Sequence, residues 1–357
     1  MIRPPGYVSD IRPYVPGKPI EELERELGIK GSIKLASNEN PLGPSPMALK
    51  AIRGAGEDLN RYPDGGGFYL KNMLSEKLSV SPDNLILGNG SNELLDIVAR
   101  TYMRPGEDAV MATPSFVVYS MAVQSVGCRA IQVPLKDFTH DLREMRKAIT
   151  GKTRIVFIAN PNNPTGTINR KGEFDHLMEA VPEGVLTVMD EAYFEYVSDP
   201  DYADSMTWFR KGKDILILRT FSKIFGLAGL RIGYGIAKEE IITEMNKLRP
   251  PFNTNSIAQL AAMAALGDEA HIRKSREINE QGKGFLYREL ELLGMRYVPT
   301  EANFVYVPVA DSGPLYESLL KKGVITRPMG PKALRVTVGL PEENERFIEA
   351  LAAIVTS

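Results

Sequence analysis

The sequence predicts an α/β protein, with a mainly parallel seven-stranded sheet in a large domain and a smaller α+β domain after it. Three observations support this. Between about residues 70 and 240, short apolar runs alternate with amphipathic stretches, as in strand–helix units. The runs are continuously apolar, which is typical of strands buried on both faces. After 240, long helical stretches and a few separate strands follow, and 357 residues suffice for about two domains.

The elements follow in this order. Residues 1–45 are rich in proline and glycine, with one helical candidate at "IEELEREL"; such a segment lies over another surface. The strand candidates of the sheet are 84–88, 108–113, 129–134, 154–160, 184–190, 215–220 and 232–237. Helical patterns lie between some of them, at 91–103 and 170–181. The later elements are helices at 238–248, 255–266 and 270–293, strands in "NFVYVPV", "VITRP" and "ALRVTVG", and a helix from 341.

Composition narrows the class of protein. The formal net charge is −2, from 43 basic and 45 acidic residues, so no bulk field attracts nucleic acid or a membrane. The single cysteine, Cys128, fits a reducing compartment, and three histidines disfavour a histidine-rich metal site. The start, "MIRPPGYVSD", lacks a secretory apolar core, and no apolar run approaches the roughly 20 residues of a membrane span. We expect a soluble, cytoplasmic protein without a metal.

Polar segments follow five of the predicted strands. They are "GNGSNE", "TPSF", "NPNNPTG", "DEAYFEY" and "TFSK". In open α/β sheets, ligands bind outside the carboxyl ends of the strands. We therefore expect these five segments to converge on one ligand.

The first and last segments suggest a phosphate site. Gly90, Ser91 and Asn92 lie at a strand-to-helix turn, where glycine permits close approach and the helix amides favour an anion. Thr220, Ser222 and Arg231 are further candidate donors. An ordinary loop with a serine cap, or a surface arginine, has the same pattern.

The other segments suggest a ring and an aldehyde. Asp190 ends a buried strand, where a carboxylate is costly unless a cation or several donors meet it. Lys223, in "TFSKIFGLAGLRIGY", has apolar neighbours, and a buried lysine tends to become a neutral, nucleophilic amine. Asn163 and Tyr193 are donors for a ring oxygen. Taken singly, "NPNNPTG" could be a turn and Asp190 a helix cap; together, the residues match pyridoxal 5′-phosphate.

These motifs carry a resemblance to a known family. Through "NPNNPTG", "DEAYFEY", "TFSKIFGLAGLRIGY" and "ALRVTVG", the chain resembles the fold-type I pyridoxal-phosphate enzymes of the aspartate aminotransferase superfamily. Within it, "LASNENPLGPSP", "RYPDGGG", "GNGSNELLD" and "VITRPMG" resemble the histidinol-phosphate aminotransferases. The resemblance implies an N-terminal arm that joins the small domain (1–45), a large pyridoxal-phosphate-binding domain (46–245) and a small C-terminal domain (246–357). Three consecutive glycines, Gly65–Gly67, depart from the family pattern.

The resemblance also implies roles. The catalytic residues are Lys223, which carries the cofactor covalently and shuttles a proton, Asp190, which pairs with the ring nitrogen, and Tyr193. Asn163 and Tyr193 hydrogen-bond the ring oxygen, and Phe116 stacks on the ring. The phosphate residues are Gly90, Ser91, Asn92, Thr220, Ser222, Arg231 and, from the neighbouring subunit of a homodimer with shared active sites, Tyr62. Substrate is held by Arg335, in a pocket lined by Tyr14, Asn40 and Arg327.

The implied reaction is transamination of L-histidinol phosphate with 2-oxoglutarate, in histidine biosynthesis. An aromatic-amino-acid or prephenate aminotransferase stays an alternative, because the motifs barely distinguish the two. A threonine-phosphate decarboxylase shares the architecture. A transcriptional regulator with an aminotransferase-like domain is disfavoured, since about 30 residues precede that part where a DNA-binding domain needs some 60.

Overall fold

The computed structural model describes residues 2–55 and 59–356. Within these ranges the helices are α1 (Gly6–Ser9), α2 (Ile20–Leu27), α3 (Pro46–Arg53), α4 (Phe68–Leu78), α5 (Ser91–Tyr102), α6 (Val118–Ser125), α7 (Leu142–Lys147), α8 (Lys171–Ala180), α9 (Ser205–Arg210), α10 (Glu239–Asn246), α11 (Ser256–Leu266), α12 (Glu269–Leu292), α13 (Ser312–Lys321) and α14 (Pro341–Val355). The strands are β1 (Ile33–Lys34), β2 (Leu85–Gly88), β3 (Asp108–Thr113), β4 (Arg129–Pro134), β5 (Thr153–Ala159), β6 (Leu186–Asp190), β7 (Ile215–Thr220), β8 (Gly233–Ile236), β9 (Phe304–Pro308), β10 (Val324–Ile325), β11 (Arg327–Pro328) and β12 (Ala333–Thr337).

The large sheet has seven strands in the order β2-β8-β7-β6-β5-β3-β4. Strand β8 is antiparallel to both of its neighbours, and the other pairs are parallel. The predicted α/β class with a mainly parallel seven-stranded sheet is therefore confirmed. Each predicted strand of this sheet matches an observed one to within two residues.

The two faces of this sheet explain its apolar strands. Successive strand residues point to opposite faces. In β5, Val156 and Ile158 enter one buried core, while Ile155 and Phe157 enter the core on the other side. Because both faces of such a strand are buried, none of its positions faces solvent, and its sequence is continuously apolar.

A second sheet lies in the C-terminal part. Strands β11, β12 and β9 pair antiparallel, and their core is closed by residues of α12, α13 and α14. The N-terminal segment joins this part: β1 pairs parallel with β10, and Leu35 is buried in the same core. The Leu35 N–H donates to the Ile325 carbonyl, and its carbonyl accepts from Thr337. The predicted domain boundaries stay predictions.

The Gly65–Gly67 loop has a definite conformation. The Asp64 carboxylate accepts hydrogen bonds from the N–H groups of Gly66 (2.8 Å) and Phe68 (2.7 Å), which closes the turn before α4. Gly67 has φ 63°, and a Cβ there would lie 2.2 Å from Leu87 Cδ1. The third glycine is thus required by both its backbone angle and its close contact with β2.

Two further properties concern the described residues alone. None of their helices combines the length and the apolar character that crossing a membrane requires. They also contain no cluster of three or more histidine, cysteine, aspartate or glutamate side chains that could hold a metal ion.

Candidate active site

A cavity of about 440 Å³ lies at the carboxyl edge of the large sheet. Strands β2, β3, β5, β6 and β7 all end at this edge, and β8, which runs the other way, begins there. The cavity lining includes these predicted site residues: Tyr14, Gly90, Ser91, Asn92, Phe116, Asn163, Asp190, Tyr193, Thr220, Ser222, Lys223, Arg231 and Arg335. A larger cavity of about 760 Å³, beside α7 and α8, contains none of them. Chemistry rather than size therefore identifies the candidate site.

One end of the cavity is a cluster of hydrogen-bond donors. Helix α5 begins at Ser91 without a side-chain cap, so its first N–H groups remain available to an anion. Arg231 approaches the helix start closely, because a Cβ on Gly90 would lie 2.6 Å from Arg231 Nη2. Arg231 Nη1 is 3.4 Å from Ser222 Oγ, which accepts a hydrogen bond from Thr220 at 3.0 Å. This cluster suits a phosphate.

Asp190 lines the cavity and is 7% exposed. Its Oδ2 accepts a hydrogen bond from the Tyr119 hydroxyl (2.7 Å), and its Oδ1 accepts one from the Ala192 N–H (3.1 Å). Burial raises the pKa of this carboxyl. Both donors are neutral, so the carboxylate suits a cationic N–H entering from the cavity.

Lys223 is half-buried in the loop after β7, with Phe221 and Ile224 buried on either side. Its Nζ donates to the Ser37 carbonyl at 3.3 Å and lies 5.5 Å from the centre of the Tyr193 ring. Burial and then the charge of Arg335 lower the pKa of Lys223 to about 8. A substantial fraction of the amine is therefore neutral near pH 7.5, as a nucleophile requires.

The other end of the cavity holds a buried cation. Arg335, on β12, is 8% exposed. Its Nη1 donates to Asn163 Oδ1 and its Nη2 to the Ala36 carbonyl, both at 2.6 Å, and its buried Nε has no partner among the described residues. Burial lowers the pKa of this guanidinium. Because its partners are neutral oxygens, Arg335 suits a carboxylate or phosphate of a ligand.

Three predicted site residues do not line this cavity in the described chain. Tyr62 is 81% exposed and stacks on Phe252, with ring centres 4.6 Å apart. Asn40 is buried, and its Nδ2 donates to the Ile224 carbonyl (2.7 Å) and to Ser275 Oγ (2.9 Å). Arg327 Nη2 donates to the carbonyl of Val15 (2.6 Å). The roles of these three stay predictions, as do the roles of the residues that line the cavity.

Two residues that sequence reasoning missed lie in the same cavity wall: Tyr119, which bonds Asp190, and Asn38, which donates to the Tyr193 hydroxyl at 2.9 Å. Tyr119 follows Phe116 by three residues, so a helical reading of "SFVVYS" could have placed the two side by side. No local signal connects Tyr119 with Asp190 or Asn38 with Tyr193.

Comparison with known proteins identifies the family. The family model described as aminotransferase class I and II matches residues 30–351. The chain belongs to the class I and II aminotransferases. This confirms the family resemblance, and with it the prediction of an aminotransferase.

Several class I and II aminotransferases are similar to this chain along almost all of its length. A histidinol-phosphate aminotransferase of Moorella thermoacetica is 53% identical over 354 residues, covering 98% of this chain and 92% of the relative. One from Nitrosococcus oceani is 49% identical, covering 98% and 95%. The crystal structure of histidinol-phosphate aminotransferase from Sinorhizobium meliloti in complex with pyridoxal-5′-phosphate has a TM-score of 0.91 at 27% identity, covering 100% and 98%. A Thermus thermophilus aspartate aminotransferase, 23% identical with a TM-score of 0.86, shows the shared fold.

Proposed function

We propose that this chain transfers the amino group of L-histidinol phosphate to 2-oxoglutarate, giving imidazole acetol phosphate and glutamate in histidine biosynthesis. One observation carries this conclusion: relatives named histidinol-phosphate aminotransferase are 46–53% identical over 98% of the chain. The cytoplasmic location stays a prediction from the sequence.

The cofactor is pyridoxal 5′-phosphate, and the residues of the cavity fit it. The donors around the start of α5 would hold its phosphate, Asp190 its ring nitrogen, and Lys223 its aldehyde carbon. Phe116 lines the cavity beside Tyr119, where it would cover a ring face. When bound, the cofactor supplies an electron sink for the negative charge that develops on the substrate Cα.

The chain's own residues supply proton transfer and orientation. The Lys223 amine is partly neutral near pH 7.5. It accepts the proton from the substrate Cα and can then donate that proton to a different atom of the reacting group. Asp190 is held by two hydrogen bonds, so its charge stays fixed where a protonated ring nitrogen needs it. Asn163 is fixed by Arg335, which links the group that binds substrate to one that contacts the cofactor.

A transaminase must admit two substrates in turn to one site. 2-Oxoglutarate presents two carboxylates, whereas histidinol phosphate has a phosphate and no carboxylate. The planar guanidinium of Arg335 can pair with either group, and its charge has no carboxylate partner within hydrogen-bonding distance among the residues described. Arg335 therefore serves both halves of the reaction.

We infer in addition that two chains form a homodimer with shared sites. Tyr62 and Phe252 stack on the surface, and Phe68 and Tyr69, which follow Tyr62 closely in sequence, are each more than half exposed. Exposed aromatic groups of this kind mark protein interfaces. Tyr62 would then reach the phosphate donors of the other subunit.

A specific observation keeps the aromatic aminotransferase as a second candidate. Arg327, the second arginine expected in the substrate pocket, contacts Val15 and the Tyr14 ring and does not itself line the cavity of this chain. Without that arginine, an aromatic side chain and an imidazolyl phosphate are harder to distinguish.

The deciding experiment is a set of parallel transamination assays with 2-oxoglutarate and histidinol phosphate, phenylalanine or tyrosine. We expect kcat/KM for histidinol phosphate to exceed the others by at least about tenfold, since recognition of one more charged group is worth that much. Lys223→Ala protein controls for non-enzymatic transfer. Equal or faster turnover of phenylalanine would support the aromatic enzyme. Release of carbon dioxide from threonine phosphate would support the decarboxylase.

A further inference from the structure

Asn38 joins the cavity wall to the C-terminal sheet. Its side chain is 1% exposed, and its backbone is left-handed, with φ 56°, a conformation that asparagine tolerates better than most residues. Its N–H donates to Thr337 Oγ1 at 2.9 Å, and its carbonyl accepts from Asn303 at 3.1 Å. The residue is therefore held firmly from the side opposite the cavity.

The hydrogen bonds determine which way the Asn38 amide faces. Thr337 Oγ1 accepts the Asn38 N–H, so its own proton is available for Asn38 Oδ1, which lies 3.1 Å away. Oδ1 is thereby an acceptor, and the NH₂ group must face the other way, where Nδ2 lies 2.9 Å from the Tyr193 hydroxyl. Hydroxyl oxygens can accept and donate at once.

The same assignment of donors and acceptors fixes the direction of the Tyr193 hydroxyl proton. Its hydroxyl oxygen accepts from Asn38, and an NH₂ group cannot accept in return. The hydroxyl proton therefore has no acceptor at Asn38 and must point in another direction. Tyr193 is itself 4% exposed and lines the cavity, so the remaining direction for its proton is into the cavity.

We propose that Asn38 is a positioning residue that makes Tyr193 a hydrogen-bond donor toward the ring oxygen of the cofactor. The inference rests on the proposed placement of the ring beside Tyr193. A donor at that oxygen stabilises its negatively charged form and so lowers the pKa of the bound chromophore. Because Thr337 lies two residues after Arg335 on β12, one strand serves both substrate binding and this tuning.

Charged and polar groups around Tyr193 also act on it. Burial raises the pKa of Tyr193, and Arg335, Asp190 and Tyr14 act on it electrostatically. The Lys223 amine lies over the tyrosine ring. A test must therefore separate a change of hydrogen-bond direction from a change of charge.

The test uses Asn38→Asp in the holoenzyme, with the pH titration of the visible absorption of the bound cofactor as readout. Aspartate has the same shape and tolerates the left-handed backbone, but its carboxylate only accepts hydrogen bonds. The Tyr193 proton should turn toward it, and the chromophore pKa should rise by about one unit. Asn38→Gly, which also suits φ 56°, removes the amide and should give a smaller rise.

The control is the same pair of substitutions in a Tyr193→Phe background. The new carboxylate raises the chromophore pKa by charge alone in both backgrounds, so the excess in the tyrosine background measures the hydrogen bond. Equal shifts in both backgrounds, for Asp or for Gly, would overturn the role of Asn38. If Tyr193→Phe alone leaves the pKa unchanged, the proposed ring placement fails, and the role of Asn38 fails with it.

Discussion

The two ends of the cavity are built in different ways. At the end proposed for the cofactor, Asp190 and Thr220 are the last residues of β6 and β7, and Gly90 and Lys223 lie in the loops just after β2 and β7, all in one sheet. At the substrate end, Tyr14 comes from the N-terminal segment, Arg335 from the second sheet and Asn163 from a loop of the first. The first end is given by the topology of one sheet, whereas the second exists only after three segments pack together.

Both ends combine buried and exposed groups. Thr220, Ser222 and Asp190 are buried at the end proposed for the cofactor, where Arg231 is exposed, and Arg335 is buried at the end proposed for substrate, where Tyr14 is 51% exposed. The ends therefore differ in the ligand that they hold, because the cofactor is bound throughout the cycle and substrates exchange. Substitutions at the cofactor end should therefore affect every substrate alike, and those at the substrate end should discriminate.

The largest effect is expected for Lys223→Ala. Because the proposed nucleophile and proton carrier are lost together, turnover of all substrates should fall by more than the roughly 10²–10⁴-fold that proton transfer alone contributes. Reduction of the wild-type holoenzyme with borohydride, followed by peptide mass spectrometry, should locate the pyridoxyl group on Lys223. Its appearance on another lysine would contradict the assignment.

Asp190→Asn should have the next largest effect. The amide keeps the shape and the Tyr119 contact but cannot hold a proton on the ring nitrogen, so Cα deprotonation should slow roughly 10²–10³-fold. The measurement is the single-turnover rate of Cα–H exchange, with circular dichroism to check folding. An unchanged rate would show that Asp190 is structural.

The contrast between the two ends of the cavity also explains which features could be predicted from the sequence. The strands were predictable because burial on both faces leaves a continuous apolar run, and the cofactor end was predictable because parallel strands end at one edge. Helix α4 was not predicted: it begins after Gly67, whose left-handed backbone and close approach to Leu87 of β2 are set by the folded structure. Local patterns do not contain such contacts.

Long-range polar contacts were not predicted, for a related reason. Tyr119 and Asp190 are 71 residues apart, and Asn38 and Tyr193 are 155 apart. A hydroxyl or amide that is satisfied by a distant residue looks, in sequence, like one satisfied by water. Arg327 shows the converse. The sequence placed it in the substrate pocket, and it does lie opposite Arg335 on the paired strands β11 and β12, but no local pattern indicated that its guanidinium would donate to the Val15 carbonyl.

Complementation tests whether the cofactor end is complete within one chain. Lys223→Ala and Tyr62→Ala chains, each inactive or weak alone, should regain activity when mixed under conditions that exchange subunits. Half of the dimers are then hybrids, each with one intact site of two, so about a quarter of wild-type activity should return. Lys223→Ala mixed with Asp190→Asn serves as a matched control, because both residues belong to the same subunit's site and each hybrid site retains a defect. Hybrid dimers without recovered activity would show that Tyr62 stays outside the site.

Arg327→Ala tests the discriminating end. If Arg327 binds the substrate phosphate, KM for histidinol phosphate should rise about 10- to 150-fold, from the loss of a charge-assisted contact, with little change for phenylalanine. If it mainly holds the N-terminal segment through Val15 and Tyr14, KM should rise similarly for both. The comparison of the two substrates decides between these roles.

The smallest expected effect is on the pKa of Lys223, which depends on arginines at both ends of the cavity. The pKa of Lys223 is lowered from 10.5 to about 8, so the neutral amine accumulates as pH rises through about 8. The rate at which added pyridoxal phosphate attaches covalently to the apoprotein should therefore rise over the same pH range. Burial is the main cause, and Arg335 lowers the pKa more than Arg231 does. Removing a positive neighbour favours the protonated amine, so Arg335→Gln should move the midpoint upward, and Arg231→Gln should move it upward by less. Stopped-flow absorbance across pH 6–10 measures both midpoints, and Lys223→Ala supplies the baseline. A larger shift for Arg231→Gln would mean that the lysine is tuned from the phosphate end, and that the substrate arginine has no part in preparing the nucleophile.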